Sequence, residues 1–181
     1  DIKGLLLSDF RRQLEYLAVN CEFVTVEDCL AALRNERSLP PDAALLTFDD
    51  GFIDHYTNVF PLLYQKGIQG LFFPILSCLQ KQELQDVHRI HFVLASEPDV
   101  QKLLKATVAI LDRLRGTFAI ADNAQLYDKL AVPSRFDSAE VVFIKRLLQN
   151  ELSPQCRSCV VSELFAEFVG VDERIFASEL Y

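Results

Sequence analysis

The chain has 181 residues, half of them apolar and about a quarter charged, which suits a globular protein with one sizeable domain or most of a larger one. Its formal charge of −8 is spread over both halves, with no basic stripe to neutralise phosphates, which argues against nucleic acid as a partner. No apolar run approaches the roughly 20 residues that a membrane span needs, and nothing in the opening residues reads as a signal peptide.

Ser8-Asp9 starts a helical pattern with Phe10, Leu14 and Leu17 on one face, and Ser8 is the expected N-cap. Phe23-Val24 reads as a short strand. Thr25 then caps a helix over Val26–Arg34, with Asp28 at the capping-box position. The stretch Ser38-Leu39-Pro40-Pro41-Asp42 is a loop, and Ala43–Phe48 is a continuous apolar run of the kind buried on both faces of a parallel sheet. After Asp49-Asp50-Gly51 the pattern turns helical from about Tyr56 to Lys66, ended by Gly67. Leu71–Ile75 is a second strand, with Phe72 and Phe73 expected in the core. Strand, loop, helix, Gly and strand make a βαβ unit, which places Asp49 and Asp50 at a strand's carboxyl end.

From about Gln80 the periodicity is helical throughout. It predicts helices over Val87–Ala95, Val100–Leu114, Asn123–Leu130, Ala139–Leu148 and Cys159–Val169, with no strand among them. Val171–Tyr181 reads as the start of a further element. The five cysteines are Cys21, Cys29, Cys78, Cys156 and Cys159. Cys156-x-x-Cys159 admits a zinc or redox reading, but no second such pair exists, and free thiols in a reducing compartment fit better. The absence of Met points to trimmed ends or to modified Met residues left unwritten.

The stretch Leu46-Thr47-Phe48-Asp49-Asp50-Gly51 carries the clearest chemistry. Two adjacent carboxylates past a buried strand repel one another, and burial raises the cost. A divalent cation relieves both, with one carboxylate binding it and the other accepting a proton from water. The bland alternative is a turn with Asp as helix cap and Gly at positive φ.

Thr47-Phe48-Asp49-Asp50-Gly51 is followed by Asn58-Val59-Phe60-Pro61-Leu62-Leu63, Lys66-Gly67-Ile68 and Gly70-Leu71-Phe72-Phe73-Pro74. This series resembles the NodB-homology domain of polysaccharide deacetylases, carbohydrate esterase family 4, closely over Ala43 to about Ile75. Asp86-Val87-His88-Arg89-Ile90-His91-Phe92 resembles a subgroup from bacterial surface-polysaccharide (O-antigen or capsule) gene clusters. The resemblance implies an α/β fold, an incomplete, distorted β/α barrel, with residues 1–80 as its N-terminal part and 81–181 as a mainly helical insertion or subdomain. It implies N-deacetylation of an acetylated amino sugar or oligosaccharide, with Asp49 as general base and Asp50 as ligand to a divalent metal, zinc by preference.

The family's other ligands lie in an H-[ST]-x-x-H motif, and His55, His88 and His91 do not fit it. The remaining metal-ligating histidines, and the rest of the catalytic domain, are therefore expected after Tyr181. His88 and His91, three apart near Asp86, offer a second metal reading; the alternative is a helix start capped by Asp86. His55 is a candidate substrate-binding residue or else a solvated helix-start residue. A cytoplasmic enzyme is expected from the missing signal and the cysteines. The rival readings are a non-catalytic sugar-binding or assembly relative without the metal, and a phosphatase using Asp49 as nucleophile.

Overall fold

A computed structural model describes residues 4–181. The fold is mixed α/β and mostly helical, with few short strands. The chain divides into two compact units, one holding the described residues up to Glu83 together with Arg174–Tyr181, the other Leu84–Glu173.

In the first unit, helix α1 runs over Leu7–Asn20 and buries Leu14. Its cap residue is Leu6, which makes no side-chain cap bond, so the helix begins one residue before the expected Ser8 cap. Strand β1 is Glu22–Phe23, one residue earlier than predicted. Helix α2, Val26–Leu33, has the predicted capping box: Thr25 Oγ1 accepts from the Asp28 N–H, and Asp28 accepts from the Thr25 N–H at 2.9 Å. These bonds satisfy amides that the first helical turn would otherwise leave open.

The run predicted as one strand is two. Strand β2, Ala43–Ala44, pairs in parallel with β1, while β3, Leu46–Asp50, pairs in parallel with β4, Gly70–Pro74. The chain changes partner at Leu45, and β3 carries on through both aspartates. In register, Leu46 lies opposite Gly70, Phe48 opposite Phe72 and Asp50 opposite Pro74. Burial on both faces is not found. Leu46 and Phe48 are half-buried, while Thr47 and Asp49 are exposed on the other face, as is Phe73. Phe73 was expected in the core, but strand alternation puts it on the face opposite Phe72.

Helix α3, Phe60–Lys66, makes the crossover and ends at Gly67 with φ +65°, the left-handed C-terminal residue expected there. Its buried Leu62 and Leu63 join Leu14 in a core to which Phe10, Leu46, Phe48, Val59, Ile68 and Phe72 add their half-buried faces. Phe48 stacks on Phe72 at 4.9 Å between centroids. The Val26 N–H donates to Gln69 Oε1 at 2.8 Å, which ties the start of α2 to the approach to β4. Helix α4, Leu76–Lys81, follows.

The second unit is helical: α5 over Asp86–Ser96, α6 over Val100–Leu114, α7 over Asn123–Leu130, α8 over Ala139–Arg146 and α9 over Pro154–Phe168. The bounds of α6 and α7 are those the periodicity predicts. Helix α6 shows why: its buried Leu103, Thr107, Ile110 and Leu111 recur at helical spacing. Thr107 is fully buried and donates back to the Leu103 carbonyl at 2.8 Å, so its hydroxyl costs little. Asp99, Asp122, Ser138 and Ser153 each accept backbone N–H bonds at a helix start. Helix α8 passes into a π-helical turn at Leu147–Glu151, so the predicted Ala139–Leu148 helix is not regular to its end. Helix α9 packs on α5 and α6 around Val160, Val161, Leu164 and Phe165. The last helix, α10, is Glu173–Leu180 and from Arg174 onward belongs to the first unit. Among the described residues no helix is long and apolar enough to cross a membrane.

Candidate functional site

The carboxyl end of β3 is built by two consecutive left-handed residues. Asp50 and Gly51 both have φ +72°. For Asp50 this conformation is strained by about 1 kcal/mol, although Asp tolerates it better than most residues. Gly51 has no substitute: a Cβ there would lie 2.7 Å from Pro74 Cβ and 2.8 Å from Pro74 Cα. The strand ends at Asp50, and both carboxylates stay at the strand end. Asp49 is exposed and Asp50 half-buried. Unusual backbone of this kind clusters at working sites, where neighbouring structure holds it in place.

Beyond Gly51 the chain enters a helical stretch that includes a π-helical turn at His55–Val59, closed by the Phe60 N–H donating to the His55 carbonyl. Pro61 can give no N–H to the carbonyl four residues back, which favours a widened turn at this point. Thr57 Oγ1 donates to the Ile53 carbonyl at 3.1 Å and Asn58 Nδ2 to Asp54 Oδ1 at 2.7 Å. Asp54 is thus engaged by its own helix.

His55 sits among rings, with centroids 5.6 Å from Phe48, 5.9 Å from Phe52 and 6.0 Å from Phe72. Burial there holds the imidazole below its ordinary value of 6.5, against the opposite pull of Asp50, Asp54 and Asp49. Its Nδ1 is buried and has no hydrogen-bond partner. His55 is therefore not the solvated helix-start residue that was the bland expectation.

His88 and His91 lie on α5, in the other unit; His88 is 5% exposed and His91 is open to solvent, so the pair is split between core and surface. Asp86 does not cap α5: the cap residue is Gln85, and Asp86 pairs with Arg89 at 3.2 Å. None of the five cysteines is in a disulfide; Cys156 is buried on α9, which pushes its thiol up, and Cys159 is exposed. Among the described residues no group of three or more His, Cys, Asp or Glu side chains is placed to hold a metal ion. Asp49 and Asp50 by themselves are at most part of a donor set.

Sequence reading missed the aromatic surroundings of His55, notably Phe52 and Tyr181, which stack at 5.8 Å and 6°. The one local signal is the spacing of Phe52, Tyr56 and Phe60, each four residues from the next. No family model, curated protein or solved structure matches the chain.

Proposed function

We propose that Asp49 and Asp50 are the carboxylate pair of a metal-dependent N-deacetylase acting on an acetylated amino sugar of a surface-polysaccharide precursor. The observation that carries this reading is the left-handed Asp50-Gly51 pair at the end of a parallel strand, which holds two carboxylates at the place where α/β folds put their chemistry. An incomplete β/α barrel around this unit belongs to the same proposal, as does a cytoplasmic site of action.

Asp49, exposed at the strand end, is assigned the general base. It takes a proton from water whose oxygen adds to the acetamide carbon; the C–N bond then breaks as the proton held by Asp49 passes to the departing nitrogen, which releases acetate and the free amine. The resemblance brings a divalent ion, zinc, with Asp50 as one ligand, and the described residues do not complete its site. Such an ion supplies positive charge at the reacting carbonyl.

The test is acetate release from an N-acetylated amino-sugar oligosaccharide by the full-length protein with zinc supplied. Asp49→Asn is expected to lower turnover by about 100-fold or more while metal binding persists. Asp50→Asn is expected to weaken metal binding. Undiminished acetate release by the Asp49 variant overturns the assignment of the base. Stoichiometric phosphate release from a phosphomonoester, without acetate release, would favour the phosphatase. Sugar binding without either product would favour the non-catalytic relative.

A further inference from the structure

Cys156 and Cys159 stand three residues apart near the start of α9, and folding treats them differently. Cys156 is 1% exposed, while Cys159 is open to solvent. Residues three apart share one face of a helix. Helix geometry puts their Cα atoms about 5 Å apart, inside the range that a disulfide bridges. Their Cβ atoms lie about 5–6 Å apart, where a disulfide needs about 4 Å. The two sulfurs therefore join only if the first turn of α9 gives by about 1–2 Å.

Two features let that turn give. It is lightly held at its start: Pro154 has no N–H, and the Cys156 N–H donates to Ser153 Oγ at 3.4 Å, a long bond. Cys156 also borders a cavity of about 150 Å³, together with Leu126 and Leu152, so its surroundings leave room for movement. Burial first, and the neighbouring Cys159 second, push the Cys156 thiol up. Cys159 is thus the sulfur that meets an oxidant from solvent, and Cys156 is the one held in reserve beneath it.

We propose that Cys156 and Cys159 form a reversible dithiol–disulfide switch, closed by a small-molecule disulfide of the glutathione type and reopened by its thiol. The Cys159 thiolate attacks one sulfur of the oxidant; a mixed disulfide forms, and the first small thiolate leaves and takes up the proton that Cys159 gave. Cys156 then loses its proton and attacks the Cys159 sulfur. The bond to the small thiol breaks, and the second small thiolate leaves and takes up the Cys156 proton. Two protein thiols and one small disulfide become one protein disulfide and two small thiols. A bond closed under strain is labile, which suits a switch and not a structural tie. Closing draws the Cys156 sulfur from the wall it shares with Leu126 and Leu152 and loosens the first turn of α9.

The test treats full-length protein with excess glutathione disulfide, blocks the remaining thiols by alkylation and cuts with trypsin. Cleavage at Arg146, Arg157 and Arg174 puts the two cysteines on separate peptides, 147–157 and 158–174. Those peptides are expected to run joined, from single chains on a non-reducing gel, and to part on reduction. Hydrogen exchange in the first turn of α9 should quicken on oxidation and slow again on reduction. Cys156→Ala should keep a lasting glutathione adduct on Cys159. In Cys159→Ala the buried Cys156 should be alkylated at least about tenfold more slowly than Cys159 is in Cys156→Ala. Unlinked peptides, a glutathione adduct that persists on Cys159 in the wild type, or a link found only between two chains would each overturn the proposal. Equal exchange in the linked and reduced forms would overturn the switch. The peptide readout uses wild-type protein, so a variant that fails to fold leaves it intact.

Discussion

Gly51 answers to two demands at once, a left-handed φ and a Cβ position already taken by Pro74. Gly51→Ala should therefore cost more than the backbone penalty alone, at least about 2 kcal/mol, read as a shifted urea midpoint at unchanged m. A loss under 0.5 kcal/mol, on the scale of an ordinary surface change, would show that the turn relaxes freely. His55 makes a second prediction at this scale. Its aromatic surroundings hold the imidazole neutral, so its NMR titration midpoint should lie below 6.5. Protons then bind the unfolded chain first. This contribution to stability is complete above about pH 6.5 and is lost as pH falls from there through the folded midpoint. Asp50 is the strongest of the carboxylates favouring the proton, so Asp50→Asn should lower the midpoint further. A midpoint above 6.5 would reverse the stability trend.

Several helices in this chain, α2, α6, α7, α8 and α9, start where a side chain closes the first turn. Asp122 accepts from the Ala124 N–H at 2.9 Å, and Asp99 accepts from Gln101 and Lys102 in the same way. Asp122→Ala should destabilise the helical unit by about 1 kcal/mol, and Asp122→Asn should retain most of it. Hydrogen exchange of the first turn of α7 is the measurement, and equal protection in the Ala and Asn variants would argue that water replaces the cap at no cost. Strands follow a different rule, because their partners are set at long range. Leu45 interrupts a run that local apolarity reads as one strand, since Ala43–Ala44 pairs with β1 and Leu46–Asp50 with β4.

At the scale of the molecule there are two cores. Leu63, 2% exposed, anchors one, and Phe143, 1% exposed, lies in the other with its ring 5.1 Å from Tyr127. Phe143→Ala should cost about 3–5 kcal/mol and Leu63→Ala about 2–5 kcal/mol. Exchange protection should fall for each within its own unit. Equal loss of protection throughout the chain after either substitution would mean that the two units unfold as one.

Local chemistry determined much of this protein. The capping box at Thr25 and Asp28, the helices Val100–Leu114 and Asn123–Leu130 and the left-handed Gly67 all follow from contacts within a few residues, which is why they are legible in the sequence. Tertiary structure decided the rest. Phe72 and Phe73 are adjacent and alike in type, yet one joins the core and the other faces outward, because pleating against β3 sets which face each occupies. His88 and His91 share a helix and still part between interior and surface, because the packing of α9 and the turn after α8 on α5 decides how much of that helix is covered. His55 stands five residues from Asp50, but its burial, its lowered proton affinity and its unpaired nitrogen arise from Phe72 and from the other rings that long-range folding brings around it.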